Sequence, residues 1–312
     1  MSVSAISAEA FETDRRLLWG LCYRMTGNAA DADDLVQETF VKAIEYPPRD
    51  TAQPLRPWLI RVAMNLSRDC LRRRRRRSYT GPWLPSPVPT DDAESPASYE
   101  PPAPSEDSPA ARYDLLESIS FAFLLALEAL TPSQRAALLL RDVFDYSTEE
   151  TARALDLTEA NVKVLLHRAR RRMQEYDKSR AAFTPARREA TRRALEQFLL
   201  YLNTRDAEGL ERLLAEDVVS LSDGGGEVAA ALRPIRGRGK MLRLIAALLE
   251  KMVSPPRASV IVLNGQPAVL YEGVNSRATR ATRYTVHVEV DEAGRIRKLD
   301  SVLAPSKLTA IK

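Results

Sequence analysis

The chain has 312 residues, a formal net charge of +4 and two cysteines, Cys22 and Cys70, with no CxxC or Cys/His cluster. That length suits two or three compact domains, each able to bury a core. The cysteine usage argues against a disulfide framework or a structural zinc and fits a reducing cytosol. No signal-peptide apolar region opens the chain and no run nears roughly eighteen uninterrupted apolar residues, so a soluble cytoplasmic protein with no membrane contact is expected.

Charge is segregated along the chain. Arg72 to Arg77 form an unbroken basic run, whereas Asp91, Asp92, Glu94, Glu100, Glu106 and Asp107 fall in one acidic segment. Such a distribution points to nucleic acid at the basic places.

From about residue 9 to 78 the pattern is helical throughout. Leu18, Leu21, Cys22 and Met25 give the first helix an apolar face, and Thr26-Gly27-Asn28 closes it. The next helix, 31–43, opens with carboxylates where the macrodipole favours them. Leu35, Val36 and Phe40 form its buried face, and Asp33, Asp34, Gln37 and Glu38 turn the other way. That polar side is either solubilising or a docking surface for a basic partner. Pro47, Pro48, Pro54 and Pro57 predict an extended connection before a third helix over 58–72. Its expected core set is Leu59, Val62, Ala63, Leu66 and Cys70. Arg61, Asn65, Arg68, Asp69 and Arg72 line the opposite side beside Trp58. Guanidinium groups grip phosphates, an amide bonds base edges and an indole stacks on an unpaired base. A solvated charged face is the plain alternative.

From 79 to 114, nine prolines and seven carboxylates accompany almost no aliphatic residues. Such a segment forms no core. It reads as a tether spanning about 33 Å as coil and up to about 110 Å as polyproline II. Two modules so joined raise each other's effective concentration on one duplex. Trp83-Leu84-Pro85-Ser86-Pro87 is an apolar island within it, suited to dock on a folded domain.

The apolar face Leu116, Ile119, Phe123, Leu127 and Leu130 leads into the most informative stretch, 131–173. Thr131-Pro132-Ser133-Gln134 and Ser147-x-x-Glu150 are capping boxes, the first with a first-turn proline, and Thr158 is a third N-cap candidate. Leu139, Leu140 and Val143, then Ala152 and Leu155, then Val162, Leu166, Ala169 and Met173 recur at helical spacing. Short helices meeting at tight turns, the last ending in Arg168, Arg170, Arg171 and Arg172, describe a helix-turn-helix with a basic tail.

Beyond Pro185 the pattern predicts two amphipathic helices, 186–203 and 206–214. Strands follow at 218–222 and 227–232, a helix at 240–251, and strands at 258–263, 268–272, 282–290 and 295–303. Helices followed by a curved, mostly antiparallel sheet make an α+β cone. The fold class is therefore multidomain: two all-α domains, the second a helix-turn-helix, plus this cone.

Three motifs in order carry a family resemblance: Asp31-Ala-Asp-Asp-Leu-Val-Gln-Glu-Thr-Phe40; Trp58-Leu-Ile-Arg-Val-Ala-Met-Asn65 with Asp69 and Arg72; and Val162-Lys-Val-Leu-Leu-His-Arg-Ala-Arg170. They resemble extracytoplasmic-function sigma factors of the sigma-70 family, with region 2 at 9–78 and region 4 at 115–178. The part from 186 to 305 resembles a SnoaL-type domain of the nuclear-transport-factor-2-like superfamily. Asp223-Gly-Gly-Gly226, Trp83-Leu-Pro-Ser-Pro87 and Ala304-Pro-Ser-Lys-Leu308 resemble short signatures of the subgroup carrying that extension. The resemblance implies core RNA polymerase and promoter DNA as partners, with no catalysis, cofactor or metal. It places Asp31, Asp34, Gln37 and Glu38 on polymerase. It places Trp58, Arg61, Asn65, Asp69 and Arg72 on the −10 element, and Glu159, Asn161, Lys163, Arg168 and Arg170 on the −35 element. Trp83, Leu84, Pro85, Asp223, Gly224, Gly225, Lys307 and Leu308 become regulatory. Leu165 and Asn161 depart from the arginine and threonine common in the family.

Three functions stand side by side at this point. One is a promoter-recognition subunit controlled in cis by the C-terminal domain. Another is a ligand-sensing regulator that binds DNA alone. The third is a SnoaL-type isomerase or cyclase using Asp223 and His287, although a histidine in the alternating strand Tyr284–Val290 is ordinarily structural. A small-molecule ligand of the cone stays open.

Overall fold

The computed structural model describes residues 8–48, 54–76, 79–91, 112–179, 184–276 and 279–311. The chain divides into two compact units: Met1–Ser78 with Asp92–Arg180, and Tyr79–Asp91 with Ala181–Lys312. The linker carboxylates from Asp92 to Asp107 lie outside the described residues.

In the first unit, α1 (Ala8–Thr26), α2 (Ala29–Glu45) and α3 (Leu55–Arg76) pack pairwise against one another. Gly27, at φ +65°, ends α1, and the Asn28 side chain starts α2 by accepting the Asp31 N–H at 3.1 Å. The expected face of α1, Leu18, Leu21, Cys22 and Met25, is fully buried. Two expectations for α3 need correction. It begins at Leu55, because Pro57 falls in the first turn, where its missing N–H leaves no intrahelical bond unmade. Its buried stripe is Leu59, Ile60, Ala63, Met64, Ser67 and Leu71, whereas Val62, Leu66 and Cys70 are half-buried. The helix is gripped from two sides, by α1 and α2 and by two later helices, so its stripe is broader than one amphipathic face predicts.

The later half begins with a 3₁₀ turn (Glu117–Ile119) and α4 (Phe121–Leu127), capped by the Ser120 hydroxyl. Then follow α5 (Pro132–Leu138), a π-helical turn through Val143, α6 (Thr148–Leu155) and α7 (Glu159–Ser179). Thr131–Gln134 and Ser147–Glu150 both close as reciprocal capping boxes. The Thr158 hydroxyl accepts the Asn161 N–H at 3.2 Å. Asp156 adopts the left-handed conformation at φ 56° and makes the tight turn between α6 and α7. Val162, Leu166, Ala169 and Met173 face inward, as their spacing requires.

The second unit is the cone. Helices α8 (Pro185–Thr204), α9 (Ala207–Leu213) and α10 (Arg238–Lys251) share one core with a six-stranded sheet of order β2-β1-β8-β7-β5-β4. Its strands are β1 (Leu214–Asp223), β2 (Ile235–Arg236), β4 (Arg257–Leu263), β5 (Gln266–Glu272), β7 (Arg283–Val290) and β8 (Ile296–Val302). Among the described strands only β1 and β8 run parallel; β3 (Met252–Ser254) and β6 (Asn275–Ser276) form a separate ladder. The strand expected at 227–232 is absent. Its three alanines offer little to a pleated surface, and the pairing moves beyond Pro234 to β2. Alternation on β7 sends Tyr284, Val286, Val288 and Val290 into the helix-covered core and Thr285 and His287 to the opposite face.

The first thirteen residues of the expected tether, Tyr79–Asp91, belong to this unit rather than to a free coil. Apolar residues and backbone groups that meet partners on the sheet outweigh the segment's proline content. Pro89 forms a β-bridge with Leu263, and Val88 exchanges hydrogen bonds with Asn264.

Candidate functional site

On α2 the exposed side chains are Asp33, Asp34, Gln37, Glu38, Val41, Ile44 and Glu45. Asp31 differs: half-buried, it sits in the turn that Asn28 caps. The indole of Trp19 donates to Asp33 at 2.8 Å. Val41 and Ile44 were not singled out from the sequence, yet they extend the acidic stripe with apolar area; Ile44 is 65% exposed. Their signal was present, since they follow Asp34, Gln37 and Glu38 at helical intervals, but hydrophobicity alone assigns such residues to a core.

On α3, Arg61, Asp69 and Arg72 are exposed, and Trp58, Asn65 and Arg68 half-buried. This side faces the helix-turn-helix. Arg61 pairs with Asp156 at 3.1 Å, and Arg68 donates to the Leu155 carbonyl and to Asn65. Deeper contacts join the two halves. Arg24 donates to Ser118 Oγ at 2.6 Å and to the Leu115 carbonyl at 2.9 Å. Arg135 donates to the Met25 carbonyl at 2.7 Å, and Glu128 accepts from both Arg74 and Arg135. Burial pulls Arg24 down to about 10. For Glu128 burial pushes upward, but the two guanidinium groups outweigh it and hold the carboxyl below its usual range.

On α7, Glu159, Asn161, Lys163 and Arg168 point outward. Arg170 does not present a free guanidinium. It binds Asp142 through two bonds, of 2.9 and 2.6 Å, and so braces α7 against the π turn.

The cone gathers a second constellation around Asp223, the last residue of β1. Its carboxylate accepts from Tyr79 Oη at 2.6 Å, Leu84 N at 2.7 Å, Gly225 N at 2.9 Å and Lys307 Nζ at 2.6 Å. Lys307 also donates to the Leu84 carbonyl and lies 4.9 Å from the Tyr79 ring centroid and 4.7 Å from that of Trp83. The Lys307 side chain is 4% exposed and that of Asp223 is fully buried. Gly224 is required for close approach, since a Cβ there would collide with the Val228 carbonyl; Gly225 supplies φ +63°. Leu84, Pro85 and Leu308 are buried. Asn264, absent from the sequence reading, holds Val88 from the β4–β5 turn; its Asn-Gly dipeptide was the available signal.

Asp223 and His287 are not brought together. Asp223 is occupied in this clasp, while His287 sits two strands away on β7, opposite Asp300 of β8. Burial and then Lys298 hold the His287 imidazole down to about 3. Burial pushes Asp300 up to about 6 against the pull of Lys298, 3.0 Å away.

Family models match in both halves of the first unit: Sigma-70 region 2 over residues 10–77 and Sigma-70, region 4 over residues 120–173. The ECF RNA polymerase sigma factor SigJ of Mycobacterium tuberculosis is 33% identical over 244 residues, 77% of this chain and 72% of that protein. The chain belongs to the ECF RNA polymerase sigma factors. The crystal structure of SigJ aligns with this sigma factor at TM-score 0.69 and 26% identity, over 97% of this chain and 99% of that one, cone included. SigL of the same organism is 32% identical over 173 residues, 55% of this chain and 88% of SigL. As a sigma factor the protein directs transcription initiation, and its two family regions coincide with the α1–α3 and α4–α7 segments described above. Among the described residues no helix is long and apolar enough to cross a membrane.

Proposed function

We propose that this sigma factor brings core RNA polymerase to its promoters through three surfaces and that the Asp223 clasp controls it in cis. The exposed α2 stripe Asp34–Gln37–Glu38, extended by Val41 and Ile44, docks on polymerase with Asp31 shaping its first turn. The α3 side with Trp58, Arg61, Asn65, Asp69 and Arg72 reads the −10 element. The outward residues of α7, Glu159, Asn161, Lys163 and Arg168, read the −35 element, with Arg170 positioning that helix through Asp142.

The observation that carries the regulatory part is the capture of Leu84 by Asp223 and Lys307. Capture of 79–91 takes those residues out of the tether between the two reading helices. That leaves about twenty-three of its thirty-six residues, worth about 26 Å as coil and about 71 Å extended, against about 33 and 110 Å when released. A shorter tether restricts which pairs of promoter elements can be gripped together.

Run-off transcription tests this reading. Core polymerase with this protein should initiate from a cognate promoter that core alone ignores. Failure across a genome-wide promoter screen, or no association of the protein with core, rejects it.

A further inference from the structure

Helix α7 turns one apolar side chain away from the core. Its buried residues, Val162, Leu166, Ala169 and Met173, fall within an arc of about 60° around the axis, at about 100° per residue. Val164 lies about 170° from the middle of that arc, and it is 47% exposed. A β-branched residue on the solvent side gains nothing from the core and is a poorer helix former than alanine or lysine. Single exposed valines are common on protein surfaces. This one is set apart by its neighbours.

Asn161, three residues earlier, and Arg168, four later, flank Val164 at about 60° and about 40°, and Arg171 follows at about 20°. All three are exposed. Among the described residues the Asn161 amide, the Lys163 ammonium and the guanidinium groups of Arg168 and Arg171 make no hydrogen bond or ion pair. Two other arginines of the helix are tied down, Arg170 to Asp142 and Arg172 to the Ala129 carbonyl at 2.7 Å. From Ala160 to Gln174 there are five lysines and arginines and no carboxylate. A small apolar spot is thus framed by an amide and by unpaired cations, on the second helix of a helix-turn-helix. The cations suit phosphates, and the amide and a guanidinium suit the edges of adenine and guanine. One base alone shows a methyl group in the major groove, and that base is thymine.

We propose that Val164 is a specificity-determining residue, which packs its two methyl groups on the C5-methyl of a thymine in the −35 element. The proposal rests on the promoter-recognition reading above and goes beyond it by naming a base and the residue that selects it. A side chain this short requires the helix to lie close to the groove floor. Ala160, exposed one turn earlier on the same face, leaves room for that approach. The longer Asn161 and Arg168 then reach base edges to either side of the thymine, and Lys163 on the flank reaches the backbone.

The test uses holoenzyme assembled from core polymerase and the full-length chain. Promoter duplexes randomised over about ten base pairs of the −35 segment, one helical turn, are selected by binding. The enriched sequence is then remade with deoxyuridine in place of each thymine in turn, which removes the methyl group and nothing else. At one position the parent should prefer thymine about fourfold, the effect of taking one methyl group out of water. Val164→Ala should bind the uracil duplex much as the parent does and show less than about 1.5-fold preference at that position. Val164→Ile should keep the preference. The site is exposed and alanine is the better helix former, so the Val164→Ala protein should melt no lower than the parent. A merely structural role would weaken thymine and uracil duplexes alike. A parent indifferent to every uracil, or a preference that survives in Val164→Ala, overturns the thymine contact while promoter recognition stands. Weakened association of Val164→Ala with core polymerase, its thymine preference intact, assigns this face to a protein and also overturns the contact. No enriched sequence at all overturns the promoter reading and the contact with it.

Discussion

A lysine ammonium nearly sealed from water must find its compensation within hydrogen-bond reach. Lys307 does so in the Asp223 carboxylate, the Leu84 carbonyl and two aromatic faces. Lys307→Met keeps the chain length but leaves the carboxylate buried without its cation. It should destabilise the clasp by about 3 kcal/mol, read as a lower denaturant midpoint and faster exchange at Leu84, and Asp223→Asn in the same chain should restore part of the loss. A variant as stable as the parent would show that the ion pair does not hold the segment. The other buried titrating pair predicts pH dependence. Unfolded imidazole titrates near about 6.5 and unfolded carboxyl near about 3.9. With His287 held near 3, the folded state binds fewer protons than the unfolded one between those values, so this contribution is complete above about 6.5 and lost as pH falls. With Asp300 raised to about 6, the folded state binds more protons between about 4 and 6, so its contribution is present in acid and lost as pH rises. The two slopes oppose. His287→Gln leaves only the second, so its stability should rise by about 1 kcal/mol or more from pH 7 to 4.5 while the parent stays flat or declines; urea midpoints across that range decide it. At this scale the sequence identified Asp223 and Lys307 only through a family signature. Nothing in composition or spacing pairs residues eighty-four positions apart.

Helix starts were legible because capping is local. Thr131, Ser147 and Thr158 each bond a backbone N–H three residues on, whatever the rest of the chain does. The phase of α3 was not read, although Ile60, Met64 and Leu71 recur with Ser67 at helical spacing: two apolar stripes compete on this helix, and packing by α5 and α6 as well as by α1 and α2 decides which positions are buried. The strand assigned to 227–232 failed for a related reason. An alanine-rich run carries no preference strong enough to outweigh the Gly224 turn, whose carbonyl accepts the N–H groups of both Glu227 and Val228. For α7 the inward stripe fixes the outward one, so Lys163 is exposed by geometry. Lys163→Ala should weaken promoter binding at every salt concentration and reduce the slope of log K against log salt by about 0.9, as expected when one fewer phosphate is neutralised. An unaltered slope removes Lys163 from the groups that bind phosphate.

Across the first unit, the α3 face proposed to read DNA is turned onto the helix-turn-helix, with Arg61 and Arg68 on Asp156 and Leu155. Promoter binding through that face requires these contacts to break, so anything that loosens them shifts the population toward the competent arrangement. Glu128→Gln removes the shared counter-charge of Arg74 and Arg135. It should lower unfolding stability by about 2 kcal/mol yet raise affinity for single-element promoter DNA; lower stability with unaltered affinity would mean that the closed arrangement does not compete with DNA.

The in-cis control proposed for the clasp would act on the same equilibrium through length rather than contact, because residues 79–91 lie between the two family regions in sequence but belong to the cone in space. With the clasp shut, about twenty-three tether residues would reach about 71 Å at most; with it open, about thirty-six would reach about 110 Å. A flexible tether is most effective when its mean span matches the distance between the sites, and its benefit falls off on either side. Lys307→Met should therefore change how transcription depends on the spacing between promoter elements, not merely how much is made. Run-off transcription from a series of templates differing in spacer length should give a narrow optimum for the parent. The variant should give a broader one, shifted toward longer spacers. Profiles of identical shape, differing only in height, would show that the cone acts by some route other than the tether.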